Sequence, residues 1–263
     1  MFTELFGTEK AIIAMAHFLP MPGSPLYNEA GGVEAIREWV RRDVHALQDG
    51  GVDAIMFCNE GDRPYNFKAS PATLATMAAV IGQLLPEIRV PFGVDILWDP
   101  QAAIALAKAT GARFVREVFT GTYASDMGLW DTSCGEALRF RRNIGAGEVR
   151  LFFNINAEFA APIGQRPLSL IAKSAVFSSL ADVVCVSGPM TGQSVEVSDL
   201  SVIKNALPDT PVVANTGVRA ENVREILKIA DGVIVGTTLK QDGNTWNPVD
   251  PDRVRRFVEA ARG

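Results

Sequence analysis

The chain has 263 residues, 48% of them hydrophobic and 21% charged, with a formal net charge of −5. That balance is globular, long enough for a sizeable core, and lacks the basic run of a nucleic-acid binder. Cys58, Cys134 and Cys185 are too scattered for a disulfide framework or zinc motif, and no apolar run approaches the ~20 residues of a membrane span. With Glu4 and Glu9 where a leader would be basic, the expectation is a reduced, cytoplasmic protein without a membrane span.

Short runs rich in Val, Ile, Phe and Ala alternate with helical spacing along the whole chain. In order, the expected strand–helix pairs are 11–18 with 32–48, 52–59 with 71–84, 91–98 with 100–109, and 114–119 with 134–143. They continue as 149–156 with 168–180, 183–188 with 199–206, 212–217 with 220–229, and 232–237 with 250–261. Nearly continuous apolar runs are what parallel strands buried on both faces require. Ser70-Pro71, Asp99-Pro100 and Asp250-Pro251 each set an N-cap residue before proline at the first helical position. Eight such units predict a single (β/α)8 barrel over residues 1–263, with a doubly wound open sheet as the alternative. The longer loops, 19–31, 60–69, 121–133 and 157–167, all follow strands, on the face where barrels carry their chemistry.

Residues able to do chemistry gather at those strand ends. Asn215-Thr216-Gly217 after strand seven and Gly236-Thr237-Thr238 after strand eight suit a phosphate cradle, because glycine lets backbone N–H groups approach the anion and threonine adds a hydroxyl. The bland alternative is that Gly217 and Gly236 serve only tight turns; Lys240 would add a charge. His17 closes strand one as an acid, base or metal ligand, or as a satisfied structural histidine. Asn59 and Glu60 follow strand two, Asp95 ends strand three, and Arg116 and Glu117 lie in strand four. Charges inside strands are costly unless paired or used, so Asp95 and Arg116 read either as a buried pair or as site residues. Strand five ends in Asn154, Asn156 and Glu158, and strand six in Ser187 and Gly188, opening a loop through Pro189, Thr191 and Gly192. The candidates for catalysis are His17, Glu60, Asp95, Arg116 and Glu117, with Arg116 as an anion clamp. Asn59, Asn154, Asn156, Ser187, Gly188, Asn215, Gly217, Gly236 and Thr237 are expected to bind the ligand. A hard cation such as Mg2+ would suit the carboxylates, although no fixed metal spacing supports it.

Several stretches together resemble the BtpA family, and more closely its SgcQ-like branch. They are His17 through Pro25, Asn59-Glu60-Gly61-Asp62, Val115 through Tyr123, Val186-Ser187-Gly188 with Thr191-Gly192, Asn215 through Val218, Val235 through Gly243, and Pro248 through Val254. The resemblance implies a ribulose-phosphate-binding type of barrel. It carries two functional associations: photosystem I biogenesis for the namesake, and carbohydrate-utilisation genes for the SgcQ-like branch. Strand five reads Asn154-Ile155-Asn156-Ala157-Glu158 where the namesake pattern leads one to expect a histidine. The resulting expectation is an enzyme acting on a phosphorylated sugar or related small anionic metabolite, of aldolase, isomerase or hydrolase type. The alternative is a non-catalytic assembly factor, for which no exposed apolar patch is legible. A homo-oligomer is left open.

Overall fold

The computed structural model describes residues 1–188, 190 and 193–263. Its strands are β1 (Ala11–His17), β2 (Ala54–Cys58), β3 (Phe92–Asp95), β4 (Phe114–Glu117), β5 (Thr122–Ser125), β6 (Gly128–Asp131), β7 (Arg150–Asn154), β8 (Ala160–Pro162), β9 (Val183–Val186), β10 (Val212–Ala214) and β11 (Gly232–Val235). Eight of them close into a barrel in the order β1-β11-β10-β9-β7-β4-β3-β2, and every barrel pair is parallel. The open-sheet alternative is thereby excluded.

The helices are α1 (Phe2–Phe6), α2 (Gly32–Asp49), α3 (Pro71–Leu84), α4 (Pro100–Thr110), α5 (Cys134–Asn143), α6 (Leu168–Phe177), α7 (Val197–Ala206), α8 (Val223–Leu227) and α9 (Pro251–Arg262). The expected caps form: Ser70 accepts from Thr73 N, Asp99 from Ala102 N, and Asp250 from Asp252 N and Arg253 N. Helix α8 is shorter than its pattern, because residues 220–222 turn before the helix begins.

Below their polar C-terminal ends the barrel strands are apolar on both faces apart from Arg150, and period two divides the faces. Ile12, Ala14, Ile55, Phe57, Val94, Leu151 and Val184 pack outward under the helices. Ala11, Ile13, Ala54, Met56, Phe114, Phe152, Val183 and Val213 fill the interior. At the N-terminal end α1 acts as a plug: Phe6 meets Phe114 edge-on at 5.5 Å and Phe152 at 6.2 Å. Phe114 and Phe152 stack at 4.8 Å beneath the site. Each such ring, fully buried, contributes about 1.5–3 kcal/mol.

The strands β5, β6 and β8 form a separate antiparallel sheet from loops expected to be irregular. It lies outside the barrel wall, on segments that follow β4 and β7. Its buried face carries Tyr123 and Trp130, which join Tyr65, Phe67, Trp98 and Phe159 in one aromatic cluster.

Candidate functional site

The inward alternation that packs the barrel floor brings its next members to the C-terminal mouth. Ala11, Ile13 and Met15 are followed by His17, Phe114 by Arg116, Phe152 by Asn154, Val213 by Asn215, and Ile234 by Gly236. Register then aligns them, with His17 beside Cys58 and Cys58 beside Asp95. Side chains up to about two hundred positions apart in the chain thus share one opening.

That opening holds a cavity of about 350 Å3, whose lining includes His17, Glu60, Arg116, Glu158, Asn215 and Thr237. A smaller chamber of about 30 Å3 lies behind it, toward β3 and β4, and shares Glu60, Arg116 and Glu158 with the larger cavity. Its further walls are Asp95, Glu117 and Asn154 on one side and Tyr65, Trp98 and Phe159 on the other. The aromatic cluster under the β5–β6–β8 sheet therefore covers this half of the mouth.

Arg116 donates to Asp95 Oδ2, and its Nη1 stands 3.8 Å from Glu158 Oε1. The pair expected from the sequence forms, and it forms inside the cavity rather than away from it. Burial works against the charge of Arg116, but the carboxylates of Asp95 and Glu158 outweigh it and raise its pKa. Burial, reinforced by the Glu158 carboxylate, pushes Glu60 up to about 7. Tyr65 Oη donates to Glu60 Oε1 at 3.2 Å. Glu117 rises well above the ordinary carboxylate range, first through burial and then through the charge of Asp95. His17 falls well below its usual value through burial and the charges of Lys240 and Arg116, which keeps the imidazole neutral near pH 7. Carboxyls raised above their ordinary range in a cleft beside a neutral imidazole are the kind of groups that general acid–base chemistry uses.

Among the described residues, His17 Nδ1, Arg116 Nε and Asn215 Oδ1 are buried without a hydrogen-bond partner, while Glu117 shares a side-chain hydrogen bond with Asp95. Each belongs to a residue lining one of the two chambers. A buried polar group left unpaired costs about 1–3 kcal/mol, so three gathered in one mouth point to a ligand that satisfies them.

On the opposite side of the mouth the two Gly/Thr segments face the larger cavity, which they line from 215 to 218 and from 236 to 238. Gly217 has φ 63°, and a Cβ there would fall 2.1 Å from Ser194 N, so the residue serves both the turn and a close approach of backbones. A short 3-10 turn, Thr237–Leu239, follows Gly236.

The remaining candidates stand behind these residues. Ser187 Oγ donates to Asn154 Oδ1 at 2.8 Å and accepts from Asn215 Nδ2 at 2.7 Å, joining three strand ends. Asn156 Oδ1 accepts from Ser187 N at 2.9 Å, Asn59 Oδ1 accepts from Leu97 N at 3.0 Å, and Gly188 N donates to Thr216 Oγ1. These three hold backbone in place and are not among the residues lining either chamber. Pro189, Thr191 and Gly192, part of the loop expected after strand six, lie outside the described residues. Lys240 corrects an expectation: it is wholly buried and donates to Asp43 Oδ2 at 2.7 Å, away from the anion it was to meet. Among the described residues, no three of His, Cys, Asp and Glu gather in a way that could hold a metal ion.

Sequence reasoning missed Arg219, Arg253 and Tyr65 as lining residues, and it named Glu158 without giving it a role. The signal was present for the arginines. A helix that follows a barrel strand starts at the mouth, so the segment entering α8 and the first turn of α9 both belong to the site.

The sequence profile described as the BtpA family matches residues 8–263. The sgc region protein SgcQ of Escherichia coli (strain K12) is 51% identical over 256 residues, covering 97% of this chain and 96% of that protein. The photosystem I biogenesis protein BtpA of Synechocystis sp. is 33% identical over 260 residues, covering 98% and 90% respectively. Among solved structures, thiamine phosphate pyrophosphorylase from Pyrococcus furiosus superposes with a TM-score of 0.59 at 17% identity, over 97% of this chain and 96% of that one. N-(5'-phosphoribosyl)anthranilate isomerase from the same organism gives 0.56 at 14%, over 96% and 98%. At such identities the structural likeness speaks for the fold alone.

Proposed function

This chain belongs to the BtpA family, and from that premise and the geometry of its mouth we propose that it is an enzyme acting on a phosphorylated sugar or a related small anionic metabolite. The observation that carries the reading is convergence: the two Gly/Thr segments line one cavity of about 350 Å3 together with buried His17, Glu60, Arg116 and Glu158, and Asp95 and Glu117 line the small chamber behind it. The cradle at residues 215–218 and 236–238 suits a phosphate, and Arg219 and Arg253 stand on the same wall. The reactive end of the substrate then lies toward Glu60, Glu158 and Arg116. Proton transfer is the chemistry at hand there. A Schiff-base aldolase would need an amine nucleophile; the described residues lining the cavity include no lysine, and Lys240 is held in its pair with Asp43. Isomerase or hydrolase chemistry, in which one carboxylate takes a proton and a neutral carboxyl gives one, fits the residues better.

The test is a thermal-shift titration with inorganic phosphate and a panel of sugar phosphates, followed by incubation with metabolite pools. A ligand at one hundred times its Kd stabilises by about 2.7 kcal/mol. No shift with any phosphorylated compound would sink the reading.

One observation favours a second reading, an assembly factor. Leu170 (49% exposed) and Phe177 (90%) lie seven residues apart on one face of α6, Leu180 (63%) follows that helix, and Val202 is exposed on α7, which packs against α6. That is the apolar surface the sequence did not make legible. If it seats a partner, Phe177→Asp abolishes the association while leaving phosphate-induced stabilisation intact. Loss of the stabilisation with no change in association would argue against a docking role for this face.

A further inference from the structure

The two chambers differ in charge. The larger one carries Arg219 and Arg253 beside the cradle, together with Glu221 and Asp242, and shares Glu60, Glu158 and Arg116 with the inner one. The inner one sets Glu60, Asp95, Glu117 and Glu158 around a single guanidinium, that of Arg116. That guanidinium is already engaged by Asp95 and faces Glu158 at 3.8 Å, so its charge is neutralised before a ligand arrives.

We propose that the inner chamber selects against a second acidic group: the substrate carries its anion at the outer cradle and turns an uncharged, hydroxyl-bearing end inward. The inference rests on the reading above and adds a rule of specificity to it. On that rule the substrate class is the sugar or polyol phosphates, to the exclusion of phosphates that end in a carboxylate. Three further observations agree. Arg116 Nε is a buried donor without a partner, and Glu117, raised well above the ordinary carboxylate range, shares a side-chain hydrogen bond with Asp95. A hydroxyl can accept from the guanidinium and donate to a neighbouring carboxylate, whereas a further carboxylate only accepts and would add its charge beside Asp95 and Glu158. The chamber, at about 30 Å3, has room for one or two water-sized groups, the bulk of a terminal hydroxyl and its carbon. Tyr65, Trp98 and Phe159 close its far side with apolar surface suited to C–H groups.

The groups that set the charge facing Glu60 are Cys58 on its own strand, Tyr65 on its own loop, Asp95 from β3, Arg116 from β4, Glu158 after β7 and Lys240 after β11. Because Glu60 titrates near 7, the chamber becomes less acidic as pH falls below neutrality.

The test is isothermal titration calorimetry of the full chain with a matched pair, glycerol 3-phosphate and 3-phosphoglycerate, with inorganic phosphate as reference. The pair differs only at the end placed inward, so the titration of the shared phosphate cancels in the ratio. At pH 8 we expect 3-phosphoglycerate to bind at least about tenfold more weakly than glycerol 3-phosphate. The gap should narrow at pH 6, and E60Q should narrow it at pH 8. Equal or tighter binding of 3-phosphoglycerate would overturn the inference, make Arg116 an anion clamp, and leave the phosphate reading standing. Failure of all three ligands, inorganic phosphate included, would bring down both.

Discussion

Asp43→Asn is the sharpest probe of how the cradle is held. Asp43 lies on α2, wholly buried; it accepts from Lys240 Nζ at 2.7 Å and from Val249 N at 2.9 Å. Lys240 and Val249 bracket the segment after β11 and form an antiparallel bridge, so one carboxylate pins the loop that begins with the Thr237–Leu239 turn. Asparagine keeps an acceptor for Val249 N and removes only the charge, leaving a buried ammonium uncompensated. Breaking such a pair costs about 3–5 kcal/mol. An upper bound comes from the lysine itself, which can escape by losing its proton, as burial already favours. From an ordinary value of about 10.4, neutralisation at pH 7 costs about 1.4 kcal/mol per unit, or about 5 kcal/mol in all. The expected loss is therefore about 3–5 kcal/mol, a fall of about 6–20 °C in Tm at roughly 2–4 °C per kcal/mol for a chain of this size. The sign with pH follows. In the variant the folded lysine is neutral while the unfolded one is charged, so the defect shrinks by up to about 1.4 kcal/mol per unit as pH rises toward 9. Thermal denaturation at pH 7, 8 and 9 reads both effects, and Asp43→Asn with Lys240→Met should recover most of the loss. A defect under about 1 kcal/mol, or one that does not change with pH, would refute the reasoning.

Glu60→Gln tests the carboxyl that titrates near 7. A carboxyl raised in the folded state contributes stability below its unfolded pKa and loses it as pH rises through about 7, so the variant should be the more stable protein at pH 8, by on the order of 3 kcal/mol at most. Urea denaturation at pH 5 and pH 8 checks it, and an unchanged difference between the two proteins would contradict the assignment. Gly217→Ala puts a Cβ 2.1 Å from Ser194 N at φ 63°, and should cost at least about 1–3 kcal/mol and remove phosphate binding, read by denaturation and calorimetry. Arg253→Met removes a cation from the outer wall but not the Asp250 cap of α9; it should weaken inorganic phosphate binding about tenfold with little change in Tm.

The barrel was legible because one physical condition acts on every strand. A parallel strand covered on both faces is mostly apolar, and 11–18 or 149–156 read that way without any partner in view. The expected strands run past the observed ends by one to three residues; after β3 this is because apolar character continues through Ile96 and Leu97, where the chain has left the ladder but stays buried. The site's inner residues followed from the strand ends, since polar side chains such as His17, Arg116 and Asn215 interrupt apolar runs at positions that must face the mouth. What the sequence withheld depends on pairings between distant residues. The β5–β6–β8 sheet is made of strands three or four residues long, and β8 returns to β5 only after a helix and a barrel strand have intervened. Nothing local in 157–167 announces that partner. Lys240 looked like a free cation because the carboxylate that buries it lies 197 positions earlier, in a helix whose other charges face solvent. The same long-range pairing gives Arg116 its character. Read alone it is an anion clamp; the structure adds that Asp95 and Glu158 stand against the guanidinium, two partners that lie 21 and 42 positions away. The sequence thus locates a polar mouth, and only the closure of the barrel shows which of its charged side chains face one another.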